Sequence, residues 1–254
     1  MNYIIIRNII LFTNVLYKNE KITRRYYVWK NNPEINITRS LLMKILSNKS
    51  NMIFFSAPLS QEQIINVNSD LKHRVFPRPF ERLSNLCDKR NLVGVEVGVA
   101  GGEHALSLLE NLNISMLYLI DPYEMYEEYV KGEGSNYGET QLPLDETFLK
   151  AEKLLDRYEK QTKFVKKLSN SAVKEIEGSI DFIYIDGNHD YKFVREDLEL
   201  YYPIVKSGGV IGGHDFYNGF VHTHNGVVTA VIEFVLSKGL QLYVEQPDFW
   251  FYKP

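Results

Sequence analysis

Short apolar runs alternate with amphipathic stretches from residue 92 to the end of the chain. The runs have the length of buried strands, and the stretches repeat their apolar residues every three or four positions, as helices do. The predicted strands are 92–97, 116–120, 163–165, 180–185, 210–211, 240–244 and 249–252, and the predicted helices are 104–112, 144–158, 171–176, 191–205 and 227–237. Strands that alternate with helices indicate an α/β domain with a doubly wound, mostly parallel sheet of seven strands. The last two strands are too close in sequence for a helical crossover, so we expect the last strand to be antiparallel.

The pattern before residue 80 is less regular. Pro77 and Pro79 favour extended backbone and mark a boundary between residues 1–80 and 81–254. The apolar runs 3–6 and 52–55 have the length of short strands. We expect residues 1–80 to be an accessory segment that caps a site or joins copies of the chain into a homo-oligomer. The chemistry is expected in residues 81–254.

Composition and charge exclude several classes of protein. The 254 residues include 29 basic and 32 acidic side chains, so the net charge of −3 offers no basic footprint for nucleic acid. The single cysteine, Cys87, permits no intrachain disulfide. The apolar stretch 8–17 is too short to span a bilayer. We therefore expect a cytoplasmic protein that binds neither nucleic acid nor membranes.

A glycine-rich turn follows the first strand of the domain. Glu96 precedes Gly98 and Gly102 in the spacing Glu-x-Gly-x-x-x-Gly, which does not fit the G-x-G-x-x-G fingerprint of nicotinamide dinucleotides. An acidic residue beside such a turn suits a ligand that carries a cation and no phosphate. With these residues the chain resembles the class I S-adenosylmethionine-dependent methyltransferases, which have a Rossmann-like sheet, over about residues 82–254. Ala100 stands where many members have glycine, and an alanine fits there if its φ is negative.

The resemblance implies a set of cofactor contacts. Glu96 and the backbone from Gly98 to Gly102 would hold the methionine part of S-adenosylmethionine. Asp121, which ends the second strand of the domain, would accept hydrogen bonds from the ribose hydroxyls. Asn170 and Ser171, after the third strand, would contact the adenine.

Two further aspartates end neighbouring strands. Asp186 follows strand 180–185, and Asp215 follows strand 210–211 with one helix between them. Consecutive strands of this kind are usually neighbours, about 4.8 Å apart, so the two carboxylates should face one another. Such a pair needs a shared proton or a cation between the carboxylates. Oxygen ligands suit magnesium, which we expect, or manganese or calcium.

The run from Asp181 to Tyr191 resembles one particular group within this class of methyltransferases. Together with His214-Asp215 it is similar to the metal-dependent small-molecule O-methyltransferases of the macrocin, mycinamicin and cephalosporin-cluster type. This resemblance implies that Asp186 and Asp215 hold the metal and that His189 is the catalytic base. His214 stands where the group often has an acid, and it is either a third ligand or a neighbour of the metal site.

Three functions follow from these residues. The first is a metal-dependent transfer of a methyl group to a hydroxyl of a small molecule, a sugar or a glycosylated metabolite. The second is a metal-independent methyltransferase, and the third is a cofactor-binding module without turnover. The tyrosine-rich connection 121–144, with Tyr123 and Tyr126, is long enough for a loop that binds the acceptor.

Overall fold

The computed structural model describes residues 4–5, 53–56, 78–126, 141–216, 225–245 and 248–254. Its strands are Ile4–Ile5 (β1), Ile53–Ser56 (β2), Leu92–Val97 (β3), Ile114–Ile120 (β4), Thr162–Val165 (β5), Ile180–Ile185 (β6), Val205–Gly213 (β7), Leu242–Glu245 (β8) and Asp248–Tyr252 (β9). Its α-helices are Ser84–Cys87 (α1), Glu103–Asn111 (α2), Leu142–Leu155 (α3), Ser169–Ala172 (α4), Tyr191–Tyr201 (α5) and Asn225–Lys238 (α6). Most of residues 1–80, including the predicted cap or oligomer contact, lies outside the described residues.

All strands belong to one sheet, in the order β1-β2-β8-β9-β7-β6-β3-β4-β5. Strand β9 runs antiparallel to β7 and β8, and β1 runs antiparallel to β2. The other neighbouring pairs are parallel. The predicted seven-stranded sheet with an antiparallel last strand is therefore confirmed in β3–β9. The accessory segment adds β1 and β2 at the outer edge, beside β8.

Both faces of the central strands are buried because successive side chains point to opposite sides. In β6, Phe182 and Tyr184 face the layer that contains α2, whereas Ile183 and Ile185 face the layer that contains α5 and α6. Helices on both faces are typical of a doubly wound sheet. Phe80, just before the predicted domain boundary, is buried in the layer with α2 and meets Tyr184 edge to face at 5.2 Å.

The largest departure from the predicted elements lies between α5 and β7. The predicted helix 191–205 ends at Tyr201, because Pro203 directs the chain into a 3₁₀ turn over Tyr202–Ile204. Strand β7 then begins at Val205, whereas the prediction placed a turn over 206–209. Hydrogen bonds to Lys253 hold this part of β7 extended: Gly208 N donates to Lys253 O at 2.7 Å, and Lys253 N donates to Gly209 O at 3.0 Å. None of the described helices is long and apolar enough to cross a membrane.

Candidate active site

A cavity of about 490 Å³ opens at the carboxyl ends of β3, β4 and β6. The chain order changes direction there, since β4 lies on one side of β3 and β6 on the other. Open α/β sheets bind ligands at such a switch point. The predicted site residues that line the cavity are Glu96, Gly98, Asp121, Asn170, Asp186, His189 and Asp215, whereas Gly102, Ser171 and His214 do not line it.

The glycine-rich turn connects β3 to α2 and forms one wall of the cavity. Gly98 has a φ of +84°, and a Cβ atom there would lie 2.1 Å from the carbonyl oxygen of Asp186. Only glycine therefore lets the turn pack against the end of β6. Ala100 has a φ of +46°, so the condition under which alanine fits this position without strain is not met, and this residue carries backbone strain.

Asp121 stabilises the same turn through hydrogen bonds. Its Oδ2 accepts hydrogen bonds from the backbone N–H groups of Val99 and Ala100, both at 3.1 Å, and its Oδ1 accepts one from Tyr123 at 3.0 Å. Burial raises the pKa of Asp121, and these three bonds oppose the rise. Asp121 lies at the cavity wall, where the ribose contact was predicted. That contact remains a prediction.

The predicted adenine contacts lie at the start of α4. Asn170 and Ser171 are exposed, and Ser171 Oγ donates to Asn170 Oδ1 at 3.3 Å. The preceding residue, Ser169, donates a hydrogen bond to the buried carboxyl of Asp197 on α5. Burial raises the pKa of Asp197 to about 7. No sequence pattern marks Asp197, because its spacing on α5 is that of an ordinary helix.

Glu96 lies at the end of β3 and is 1% exposed. Its Oε1 is 2.9 Å from Nδ1 of His104, in the first turn of α2, and both side chains line the cavity. Burial raises the pKa of Glu96 well above its usual range, and the charge of Asp186 adds to the rise. His104 was not predicted as a site residue. Its ring lies 4.1 Å from the ring of Tyr184, centroid to centroid.

The turn between β6 and α5 places His189. Asp190 N donates to Asn188 Oδ1 at 2.9 Å, which closes a tight turn. Gly226, in α6, packs against the same turn, and a Cβ atom there would lie 2.3 Å from the carbonyl oxygen of His189. The turn is thus held by its own hydrogen bond and by the start of α6.

His189 meets both predicted metal-binding aspartates. Its Nε2 lies 2.8 Å from Asp215 Oδ2 and 3.8 Å from Asp186 Oδ1. His214 Nδ1 lies 3.2 Å from Asp215 Oδ1 and 3.7 Å from Asp186 Oδ1. The predicted proximity of the two aspartates follows from the pairing of β6 with β7, in which Ile185 lies opposite Gly213. Asp215 has a φ of +57°, a strained conformation of the kind found at active sites.

The two histidines and Asp215 form ion pairs. Burial opposes a positive charge on His189, but the hydrogen bonds to Asp186 and Asp215 prevail and raise its pKa to about 10. Burial would raise the pKa of Asp215, yet the hydrogen bonds from His189 and His214 hold it below its usual range. His189 therefore carries a proton at neutral pH in this arrangement, and Asp215 is ionised.

The same residues fit a divalent cation. One ligand atom each from Asp186, His189 and Asp215 lie within 4.8 Å of one another. Carboxylate oxygens with one imidazole nitrogen suit manganese, iron or zinc as well as magnesium. The resemblance implies His189 as the base and leaves His214 as either a third ligand or a neighbour of the metal site, and the structure brings both imidazoles to the aspartates.

Three residues that the sequence did not indicate complete this end of the cavity. Arg78 donates to the hydroxyl of Tyr184 and lies 3.4 Å from Asp248 Oδ1 and 3.8 Å from Asp186 Oδ2. Tyr184 donates in turn to Asp248. Despite its burial, the guanidinium keeps a raised pKa because of Tyr184, Asp248 and Asp186. No local motif marks these three residues as a group, since they lie at positions 78, 184 and 248 of the chain.

The charge of the cavity wall is strongly acidic. Its carboxyl groups are Glu96, Glu103, Asp121, Glu124, Asp186, Glu196, Asp197 and Asp215, and its basic side chains are Arg78, His104 and His189. Such a wall favours a cationic ligand and repels phosphate groups. Tyr126 also lines the cavity, and its hydroxyl accepts a hydrogen bond from Asn188 Nδ2 at 3.2 Å. The rest of the tyrosine-rich connection, 127–140, lies outside the described residues.

Part of the chain is similar to known proteins. Residues 95–216 match the model of a methyltransferase domain family. An uncharacterized protein, R132 of Acanthamoeba polyphaga mimivirus, is 27% identical over 158 residues, which are 58% of this chain and 64% of that protein. The matched part therefore spans less than two thirds of that relative's length.

Three solved structures are similar to this chain at low identity, with TM-scores below 0.5. The O-methyltransferase NovP is 14% identical, with 64% of this chain and 72% of NovP covered and a TM-score of 0.46. MycE from the mycinamycin biosynthetic pathway, in complex with Mg and SAH, is 16% identical, with 75% and 54% covered and a TM-score of 0.46. An rRNA-methylase structure from Clostridium thermocellum is 13% identical, with 64% and 88% covered and a TM-score of 0.44.

The family match falls on the doubly wound sheet and on the acidic glycine-rich turn. Its matched segment, 95–216, contains the turn at Glu96 and the cluster at Asp186 and Asp215. This part of the chain is similar to methyltransferase domains.

Proposed function

We propose that this protein transfers a methyl group from S-adenosylmethionine to a hydroxyl of a small molecule, a sugar or a glycosylated metabolite, with a divalent metal ion at the acceptor. The observation that carries the proposal is the cluster of Asp186, His189 and Asp215, which lies in the same cavity as Glu96 and the glycine-rich turn. A general base and paired carboxylates beside a cofactor cavity are the groups that hydroxyl methylation requires.

The cofactor would lie between the ends of β3, β4 and β5. Glu96 and the backbone of Gly98 to Gly102 would hold its methionine part, Asp121 its ribose, and Asn170 with Ser171 its adenine. The acidic wall supports this placement, because the sulfonium and ammonium groups are both cationic. The bound cofactor supplies a methyl group activated by the sulfonium.

The acceptor hydroxyl would lie at Asp186 and His189. Once His189 has released to solvent the proton that it carries in the ion pairs described above, its neutral imidazole would take the proton of that hydroxyl as the oxygen bonds to the methyl carbon and the carbon–sulfur bond breaks. Asp215, 2.8 Å from His189, would orient the imidazole and stabilise its positive charge. Tyr126 and Phe193, with ring centroids 6.1 Å apart, would flank the acceptor and exclude water.

Asp186, Asp215 and His214 would hold the metal, which we expect to be magnesium. In that position a divalent ion lowers the pKa of a bound hydroxyl, and its charge competes with the proton on His189. The acceptor is proposed to be a small molecule and not a nucleic acid, in keeping with the acidic wall. A cytoplasmic location and a homo-oligomer formed through residues 1–80 remain part of this proposal.

A metal-independent methyltransferase is the second candidate. One observation favours it: Arg78, His189 and His214 already place positive charge beside Asp186 and Asp215. The aspartates then need no further cation. The two candidates differ in whether removal of metal stops the reaction.

Calorimetry and a methyl-transfer assay test the proposal. The protein should bind S-adenosylmethionine and not NAD, and it should release S-adenosylhomocysteine when it is offered hydroxylated sugars and glycosides. EDTA should abolish turnover, and magnesium or manganese should restore it in the parent but not in Asp186→Asn or Asp215→Asn. The matched control is Asp156→Asn, which changes an exposed aspartate after α3. Full activity in EDTA would favour the metal-independent reading, and absence of S-adenosylmethionine binding would overturn both.

A further inference from the structure

His104 contacts one of the two carboxyl oxygens of Glu96. Glu96 is buried, and its Oε1 lies 2.9 Å from His104 Nδ1, as it would if Nδ1 donates to an ionised Glu96. Its Oε2 is also buried, and no hydrogen-bond partner for Oε2 is present among the described residues. A buried carboxylate oxygen without a donor is costly, so a donor from a ligand would stabilise it.

The surroundings of Glu96 favour a cationic donor. Asp186 raises the pKa of Glu96, as burial does, and Arg78 opposes this only in part. A positive charge against Oε2 would offset both the burial and the repulsion from Asp186. The wall around Glu96 belongs to the cavity, so a bound molecule can bring that charge.

His104 is itself held in a fixed position. It lies in the first turn of α2, and its side chain is 9% exposed. Its ring packs at 46° against the fully buried ring of Tyr184. This packing directs Nδ1 at Oε1 and so determines which oxygen of Glu96 remains for a ligand.

We propose that His104 is a positioning residue for the cofactor: by holding Oε1 of Glu96, it leaves Oε2 to receive the α-ammonium of the amino-acid end. This inference rests on the proposed function, because it needs S-adenosylmethionine or its product in the cavity. According to this inference, Glu96 and His104 together make the protein select ligands that carry a free amino-acid end.

Two ligands separate this role from a general effect on the cavity. S-adenosylhomocysteine and 5′-methylthioadenosine share the adenosine and the thioether, but only the first has the amino-acid end. In the parent, calorimetry should show tighter binding of S-adenosylhomocysteine. His104→Ala should weaken the binding of S-adenosylhomocysteine by about 10- to 100-fold, which is the effect of losing a hydrogen bond to a charged group. The affinity for 5′-methylthioadenosine should change by less than about threefold.

A conservative variant keeps the test independent of folding. The amide nitrogen of asparagine can reach the place of Nδ1, so His104→Asn should retain most of the affinity for S-adenosylhomocysteine. Glu96→Gln, which keeps the shape of the side chain, should lose the same selectivity as His104→Ala. Glu110→Gln, in the same helix but exposed, is the matched control and should bind both ligands as the parent does.

The outcomes distinguish two failures. Unchanged binding of S-adenosylhomocysteine in His104→Ala, or an equal loss for both ligands, would overturn the role of His104 while the proposed function stands. If the parent binds neither S-adenosylhomocysteine nor S-adenosylmethionine, the proposed function fails and this inference fails with it.

Discussion

The two ends of the cavity balance their charges in different ways. At the cofactor end, formed by the ends of β3, β4 and β5, Asp121 is held by three backbone N–H groups, and Glu96 has one imidazole beside it. At the acceptor end, formed by the ends of β6 and β7, Asp186, Asp215 and Asp248 face Arg78, His189 and His214. The acceptor end is thus largely neutralised by side chains, whereas the cofactor end keeps an excess of acid.

This difference indicates which end of the cavity gains more from a positively charged ligand. A carboxylate that is surrounded by ionised partners keeps its position without a ligand. A buried carboxyl with a raised pKa, such as that of Glu96 or Asp121, gains more from a bound cation. We therefore expect changes at the acceptor end to affect turnover and stability, and changes at the cofactor end to affect binding and the pH dependence of stability.

The largest expected effect is on turnover, at the acceptor end. His189→Ala removes the proposed base, so turnover should fall by about 10²- to 10⁴-fold. Binding of S-adenosylmethionine should stay within about threefold in calorimetry, because His189 lies beside Asp215 and not beside Glu96. His214→Ala is the matched control and should act more mildly. A parent-like rate and pH–rate profile in His189→Ala would remove His189 from the mechanism.

The next effect concerns stability. Arg78→Met leaves Asp248 and Tyr184 buried without their cation, which should lower the free energy of unfolding by about 3–5 kcal/mol in urea titrations. Arg157→Met is the control, because Arg157 pairs with Glu110 at the surface. This variant should lower the free energy of unfolding by less than about 1 kcal/mol. Equal costs for the two variants would mean that the acceptor end does not depend on its buried cation.

The two ends also differ in how much of them the sequence could predict. The cofactor end depends on short spacings, such as the eight residues between Glu96 and His104 or the 22 between Val99 and Asp121. A turn after one strand and an acid at the end of the next are visible in a single sequence. Even there the role of His104 was missed, because one histidine in a helix has no distinctive pattern.

At the acceptor end only the local part was predictable. Asp186 and His189 follow β6 and Asp215 follows β7, and the alternation of strands and helices predicts that these two strands are adjacent. Arg78 meets Asp248 across 170 residues, and Tyr184 meets Asp248 across 64. Such contacts depend on the insertion of β9 between β7 and β8 and on the packing of Phe80, which no local pattern specifies.

A smaller effect should appear at the cofactor end as a dependence on pH. Burial raises the pKa of Asp197 from 3.8 to about 7, so the folded protein binds this proton more tightly than the unfolded chain. The stability that Asp197 contributes is therefore full below about pH 4 and is lost as the pH rises to about 7. In urea titrations the free energy of unfolding of Asp197→Asn, relative to that of the parent, should rise by about 2–4 kcal/mol between pH 4 and pH 8.

The asparagine variant keeps an acceptor for the hydroxyl of Ser169, so the comparison isolates the charge. Glu199→Gln, at an exposed position in the same helix, should show no such trend. A constant difference between Asp197→Asn and the parent at every pH would contradict a raised pKa at this position.

The smallest effect is expected at the strained residue of the glycine-rich turn. Ala100 has a φ of +46°, which costs an alanine about 1–2 kcal/mol, and it is held there by its N–H to Asp121 and by the hydroxyl of Tyr123 on its carbonyl. Glycine would relieve the strain, but the greater entropy of the unfolded chain would lower the free energy of unfolding by about 0.5–1 kcal/mol. Ala100→Gly should therefore raise the free energy of unfolding by up to about 1 kcal/mol. Ala172→Gly, at a buried position in α4 with a φ of −68°, has no strain to relieve and should lower the free energy of unfolding by about 1 kcal/mol or more. A loss in both variants would show that the contacts of Ala100 outweigh its backbone strain.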